Sequence, residues 1–206
     1  MVVLFIVAAV AFYYLSRPSY IPWKNNTIIK IVDKTYSEGL PHTSDANTII
    51  MPENAWKDSK KDSTLRHEMV HISQRRNRAA WFQFYKDEWA YEIYKGPIPE
   101  ELHDVRPNPD TADSPYIVWK GRWLFTALYS DDRTLRNARV VVWDLDTRRF
   151  TSIPAEWRAF FEGPTKLNQY EHPHEIAAEY ITNGETMKKS VAAQKLFASR
   201  IFLHEN

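Results

Sequence analysis

His67 and His71 stand four residues apart, with Glu68 directly after the first, inside the stretch Thr64–Gln74, TLRHEMVHISQ. Four residues are close to one helical turn, so on a helix both imidazoles project from one face and reach a single metal ion. Glu68 points roughly 100° around the same helix from His67. Its carboxylate then lies beside the metal, placed to hold a water and take its proton rather than to coordinate. H-E-x-x-H on a helix is the signature of zinc hydrolases built this way. At this chain's histidine and glutamate content the pattern arises by accident in roughly one or two such sequences per hundred, so its surroundings decide its meaning.

A catalytic zinc takes three protein ligands and keeps a further position open. The chain has no cysteine, which leaves His, Asp or Glu for the third ligand. Tyr170–Tyr180, YEHPHEIAAEY, is the dense downstream candidate. Pro173 suits the first turn of a helix, on which Glu175 and Glu179 share one face while Ile176, Tyr180 and Ile181 form the apolar side. His172 and His174 compete with Glu175, because a histidine there completes an equally valid site. An oxyanion donor is also expected. Tyr170, His172, His174 and Tyr180 all lie close to the third ligand, and the sequence does not choose among them.

These side chains need elements to hold them. Leu65, Met69, Val70 and Ile72 supply apolar faces that bury the H-E-x-x-H helix, with Asp62 or Ser63 as the expected N-cap and Arg75–Arg78 as its polar end. Ala79–Tyr94 reads as a second, aromatic helix packed on the first and ended by Gly96-Pro97. Upstream, Thr27–Val32 and Asn47–Met51 read as strands, the second stopped by Pro52. Asn47, Thr48, Ile49, Ile50 and Met51 are the candidate edge strand against which an extended substrate backbone pairs, with an ordinary core strand as the alternative. His42 is read as an isolated surface histidine rather than a substrate contact. Pro97–Pro115 carries five prolines and is expected to cross near the site as an irregular connection. Tyr116–Trp119 and Trp123–Tyr129, joined through Lys120-Gly121-Arg122, predict a hairpin, and Val140–Leu145 with Phe150–Ile153 predict another. Asp144 and Asp146 are read as solvated. Glu185–Leu203 closes the chain as an amphipathic helix.

Composition limits the rest. The 206 residues are 44% hydrophobic, 14% aromatic and 26% charged, enough for one well-cored domain with an appendage. A net charge of +1 with interspersed signs gives no basic face, so nucleic acid is not an expected partner. Met1–Leu15 is apolar and uncharged, followed by Ser16-Arg17-Pro18. It lacks the positive start of a secretory signal and is read as an uncleaved transmembrane anchor rather than a signal peptide or a core element. Tyr20 and Trp23 would sit at the membrane interface. Arg17, Lys24, Lys30 and Lys34 follow the segment and favour a cytoplasmic domain. The expected layout is therefore a single-pass anchor with its juxtamembrane segment at residues 1–23 and one domain at 24–206, with a β-rich insert at about 115–153.

Gly39-Leu40-Pro41-His42-Thr43, the segment RHEMVHISQRR with its aromatic follow-on helix, Arg106–Asp110 and Tyr170–Tyr180 together resemble a zincin-type metallopeptidase of the gluzincin kind. More narrowly, they are similar to a family of metallopeptidases of large DNA viruses and related marine sequences. The resemblance implies an α+β zincin-like fold with small antiparallel sheets, zinc as cofactor, and a peptide or protein substrate. It implies His67, His71 and Glu175 as zinc ligands and Glu68 as general base. In gluzincins a second acidic residue four positions after the third ligand orients a zinc-binding histidine. Glu179 stands there, where Asp is more usual. The alternative is a catalytically inactive zincin-like structural protein, assembled into a virus particle.

Overall fold

A computed structural model describes residues 19–134, 137–163 and 165–203. The architecture is α+β, with two sheets flanking a layer of helices. β1 (Ser19–Pro22), β2 (Ile28–Val32), β3 (His42–Thr43) and β4 (Thr48–Pro52) form a sheet of order β1-β2-β4-β3. β2 and β4 run parallel while the outer pairs are antiparallel, so this sheet is mixed. The expected edge strand at Asn47–Met51 is therefore corrected: β4 is interior, with β3 outside it. Ile49, Ile50 and Met51 are all buried, and a strand so apolar loses less free energy with neighbours on both sides.

Helix α1 (Lys61–Arg76) carries the histidines. It starts before the expected cap, and Asp62 instead occupies its first turn, where the helix dipole favours a carboxylate. Leu65 and Ile72 pack on Ile29, Ile49 and Met51 of the first sheet, while Val70 faces the main core. Helix α2 (Arg78–Trp89) is shorter than its pattern predicts, because Ala90 turns left-handed at φ 56° and Tyr91–Ile93 becomes strand β5. β6 (Ile117–Trp119), β7 (Trp123–Tyr129), β8 (Ala138–Asp144) and β9 (Arg149–Thr151) continue from β5 as an antiparallel meander. In the three-residue β6–β7 loop, Lys120 and Gly121 stand at φ 50° and 65°, the doubly positive geometry of the tight turn closed by the Arg122 N–H on the Trp119 carbonyl.

The main core joins this second sheet to the helices. Trp81 and Trp89 of α2 share it with Trp119 and Phe125 of the sheet and with Trp157 and Phe161. Helix α3 (Pro173–Thr182) runs through it, with Ile176, Ala177, Ala178 and Tyr180 fully buried. The tail is a shorter helix than expected, α4 (Val191–Ser199), capped where the Ser190 hydroxyl accepts the Ala193 N–H at 3.1 Å. Asp144 is buried, against its reading as solvated. Arg122 grips it in a fork at 2.8 and 3.0 Å, which holds its carboxyl well below the usual range.

The expected membrane anchor at residues 1–15 lies outside the described residues. Among the described residues no helix is long and apolar enough to cross a membrane, so the transmembrane element and the single-pass placement built on it find no support. The supposed interfacial segment is also reassigned. Ser19–Pro22 pairs as β1 with Ile28–Ile31, and Trp23 packs against the core beneath that sheet.

Candidate metal centre

α1 and α3 pack directly on each other, and this contact brings the N-terminal turn of α3 over the histidine face of α1. His67 Nε2, His71 Nε2 and the Glu175 Oε2 oxygen form a triangle with sides of 3.1, 3.3 and 3.6 Å. Ligands about 2.0–2.2 Å from a tetrahedral zinc stand about 3.4 Å apart, so one ion fits the middle of this triangle. The His71–Glu175 side, at 3.6 Å, lies beyond useful N–H···O range. Among the described residues this is the group of three whose donor atoms converge in that way.

Proton positions agree with ligation. Gln74 Nε2 donates to the His174 carbonyl at 3.0 Å and to Tyr85 Oη at 3.1 Å, which fixes the orientation of its amide. Gln74 Oε1 is then an acceptor, and His71 Nδ1–H donates to it at 2.7 Å. Neutral His71 therefore presents a bare Nε2 lone pair to the triangle. Burial lowers the pKa of His71, but the carboxylates of Asp110 and Glu175 outweigh it and lift the value to about 10. Glu175 is also buried, yet the charge of His71 and the contact from His67 at 3.3 Å hold its carboxyl well below the usual range. The space between these groups demands a cation, and a proton or a divalent metal satisfies it.

Glu68 completes the set. It is buried, its Oε2 has no hydrogen-bond partner, and it lines the same cleft as His67 and Glu175. Burial first, then the nearby Asp110 carboxylate, push its pKa well above the ordinary value. A carboxylate in this state gains by taking up a proton. The cleft has a volume of about 540 Å³ and opens to solvent.

The second face of the site comes from the proline-braced segment Arg106-Pro107-Asn108-Pro109-Asp110, which crosses the site as expected. Asn108 Nδ2 donates to Glu175 Oε1 at 2.9 Å, leaving Oε2 to face the histidines. Arg106 pairs with Glu171 at 2.5 Å. Asp110 accepts the Thr43 N–H at 2.8 Å, and Arg75 of α1 donates to the Thr43 hydroxyl and to the Pro109 carbonyl at 2.8 and 2.6 Å. Gln74, Asn108, Arg75 and Asp110 were not picked out by sequence reasoning. Gln74 was readable as a polar residue one turn after His71 on a buried helix face. Asn108 had no local signal beyond its two flanking prolines.

Other expected roles change. Glu179 does not bond to either histidine. Its carboxylate accepts the backbone N–H groups of Asn168 and Gln169 at 3.1–3.3 Å, and so holds the loop that forms one wall of the cleft. Gln74 has the histidine-orienting position instead, because α1 itself presents it there. None of the four expected oxyanion donors lines the cleft with Glu68. Tyr180 donates to the Phe161 carbonyl in the core, and Tyr170 packs on Trp157. His172 caps α3, its Nδ1 accepting the His174 N–H at 3.0 Å, and burial lowers its pKa to about 4. His174 is buried, its ring nitrogen 3.1 Å from Tyr85 Oη. Both histidines thus leave the third ligand position to Glu175. His42 moves the other way: it is buried rather than a surface residue and lines the cleft, its Nδ1–H donating to the Leu40 carbonyl at 3.2 Å.

Comparison with protein-family models, with curated proteins and with solved structures returns no match.

Proposed function

We propose that the chain is a zinc-dependent hydrolase of peptide bonds. The observation that carries this reading is the His67–His71–Glu175 triangle with the buried side chain of Glu68 lining the same open cleft. Two histidines and one carboxylate are a donor set that catalytic zinc uses, whereas a structural zinc is closed by four protein ligands. When bound, zinc would polarise the scissile carbonyl and lower the pKa of a water towards about 7.

The chain's own residues do the remainder. His71 is held in its ligating tautomer by Gln74, and Glu175 is held by Asn108 with one oxygen turned to the histidines. Glu68, whose side chain lines the cleft, accepts the proton of the attacking water at its carboxylate and delivers it to the leaving nitrogen. Its raised proton affinity suits the first of these transfers, the uptake from water. The test is direct. Purified protein should bind about one zinc per chain and cleave peptides, and Glu68→Gln should keep the zinc while losing at least about 100-fold in kcat. Equal turnover in Glu68→Gln overturns the reading.

A further inference from the structure

Substrates of hydrolases with extended clefts are commonly held by adding a strand to a sheet edge, so the edges that border the cleft decide how a peptide lies in it. β3 is the outermost strand of the first sheet, and it is closed. Ser44 N–H donates inward to Thr48 at 3.0 Å, so by the alternation of a strand the N–H and C=O of Thr43 point outward. Both are already taken. Asp110 accepts the N–H at 2.8 Å and Arg75 donates to the C=O at 3.2 Å, and Thr43 is 0% exposed. The preceding outward residue, Pro41, has no N–H to offer. Moving Asp110 aside would disturb the segment whose Asn108 holds Glu175.

β8 is different. β9 covers only Val142–Asp144 of it, leaving the start of β8 beyond the end of its neighbour. Ser130 N–H donates to the Asn137 carbonyl at 3.1 Å, so Asn137, Arg139 and Val141 bond towards β7, and the N–H and C=O groups of Ala138 and Val140 point away from it. Among the described residues these four groups have no hydrogen-bond partner. Ala138 and Val140 are half-buried and line the same cleft as His67, Glu68 and Glu175.

We infer that the substrate backbone docks as an added strand on the free edge of β8 at Ala138–Val140, and not on the first sheet. This deepens the hydrolase reading and rests on it. The ligand class is an extended peptide with unblocked backbone amides on the side facing β8. Its side chains alternate, and those on the cleft side meet the wall formed by Asn168 and Gln169.

The inference separates cleanly in a Val140→Pro variant. That substitution deletes one outward N–H and leaves the bonds to β7 intact, a position where an edge strand tolerates proline. Losing one such bond should raise KM about fivefold to tenfold for a blocked hexapeptide, with the loss in KM rather than in kcat. N-methylation scanned along the substrate should find one amide whose loss costs wild type a similar factor. A second measurement does not depend on the fold of that variant. In zinc-loaded Glu68→Gln protein, an uncleaved hexapeptide should slow exchange of the Ala138 and Val140 amides and leave Thr43 as it was. Unchanged exchange at both β8 amides overturns the inference, as does a KM indifferent to Val140→Pro in folded protein. Absence of cleavage with any zinc-loaded sample defeats the hydrolase reading instead, and is seen separately from the exchange result.

Discussion

Asn108→Ala tests whether the proline-braced segment belongs to the metal centre or merely covers it. In the structure Asn108 Nδ2 holds Glu175 Oε1 at 2.9 Å and approaches Glu171 Oε1 at 3.3 Å, while its own Oδ1 accepts the Asp110 N–H at 3.0 Å. Truncation to Ala frees Glu175 Oε1, and the carboxylate is then able to rotate so that Oε2 no longer completes the triangle. Loss of a partner that orients a ligand costs about 10–100-fold in metal affinity, which is about 1.4–2.7 kcal/mol. The assay is zinc competition against a chromophoric chelator at fixed pH, with circular dichroism to show that the metal-free variant is folded. Asn108→Asp sharpens the test. If charge alone mattered, a further carboxylate beside Glu175 would strengthen cation binding. If orientation matters, Asp cannot donate to Oε1, repels it, and binds zinc at least as weakly as Ala. Affinity within about twofold of wild type in Asn108→Ala, or a gain in Asn108→Asp, refutes the positioning argument.

Three further outcomes follow from the same contacts. Gln74→Leu removes the acceptor of His71 Nδ1–H and should weaken zinc binding by about 10–100-fold, read by the same chelator competition. Tyr180→Phe should cost about 1–3 kcal/mol in denaturant unfolding by leaving the Phe161 carbonyl unpaired, with turnover per folded molecule unchanged; a turnover loss would return Tyr180 to the site. His172 is neutral in the fold, with a pKa of about 4 against an unfolded value of about 6.5, so the unfolded chain binds the extra proton between those pH values. Its contribution is complete above pH about 6.5 and is lost as pH falls through about 4, which means that the stability advantage of wild type over His172→Asn should shrink over that window by up to about 3 kcal/mol. A pH-independent difference would show that His172 is not held neutral.

Much of the local structure was legible. Strand β2 and the β6–β7 hairpin follow from β-branched and aromatic runs closed by a Lys-Gly turn, and α3 follows from Pro173 and the apolar residues behind it. The misreadings lie where local pattern and tertiary contact disagree. Tyr91–Ile93 has the aromatic content of the helix before it, but a left-handed Ala90 and the partner strand β6 make it β5. Asn47–Met51 is apolar enough for an interior strand, but the strand outside it, His42–Thr43, is two residues long and leaves no pattern to read. Tyr180 is close to Glu175 in sequence, yet its side chain is buried beside Trp89 in the core.

By itself the sequence determined the chemistry at one helix: a four-residue spacing puts His67 and His71 on one face, and Glu68 beside them, whatever the rest of the chain does. What completes that helix was decided only in three dimensions. Glu175 lies 108 residues after His67, and Asn108, Arg75, Asp110 and Thr43 meet across separations of 32 to 67. No periodicity encodes such distances, because they arise from how α1, α3 and the 106–110 segment pack. The open edge of β8 has the same origin, since it exists only because β9 stops short of Ala138 and Val140.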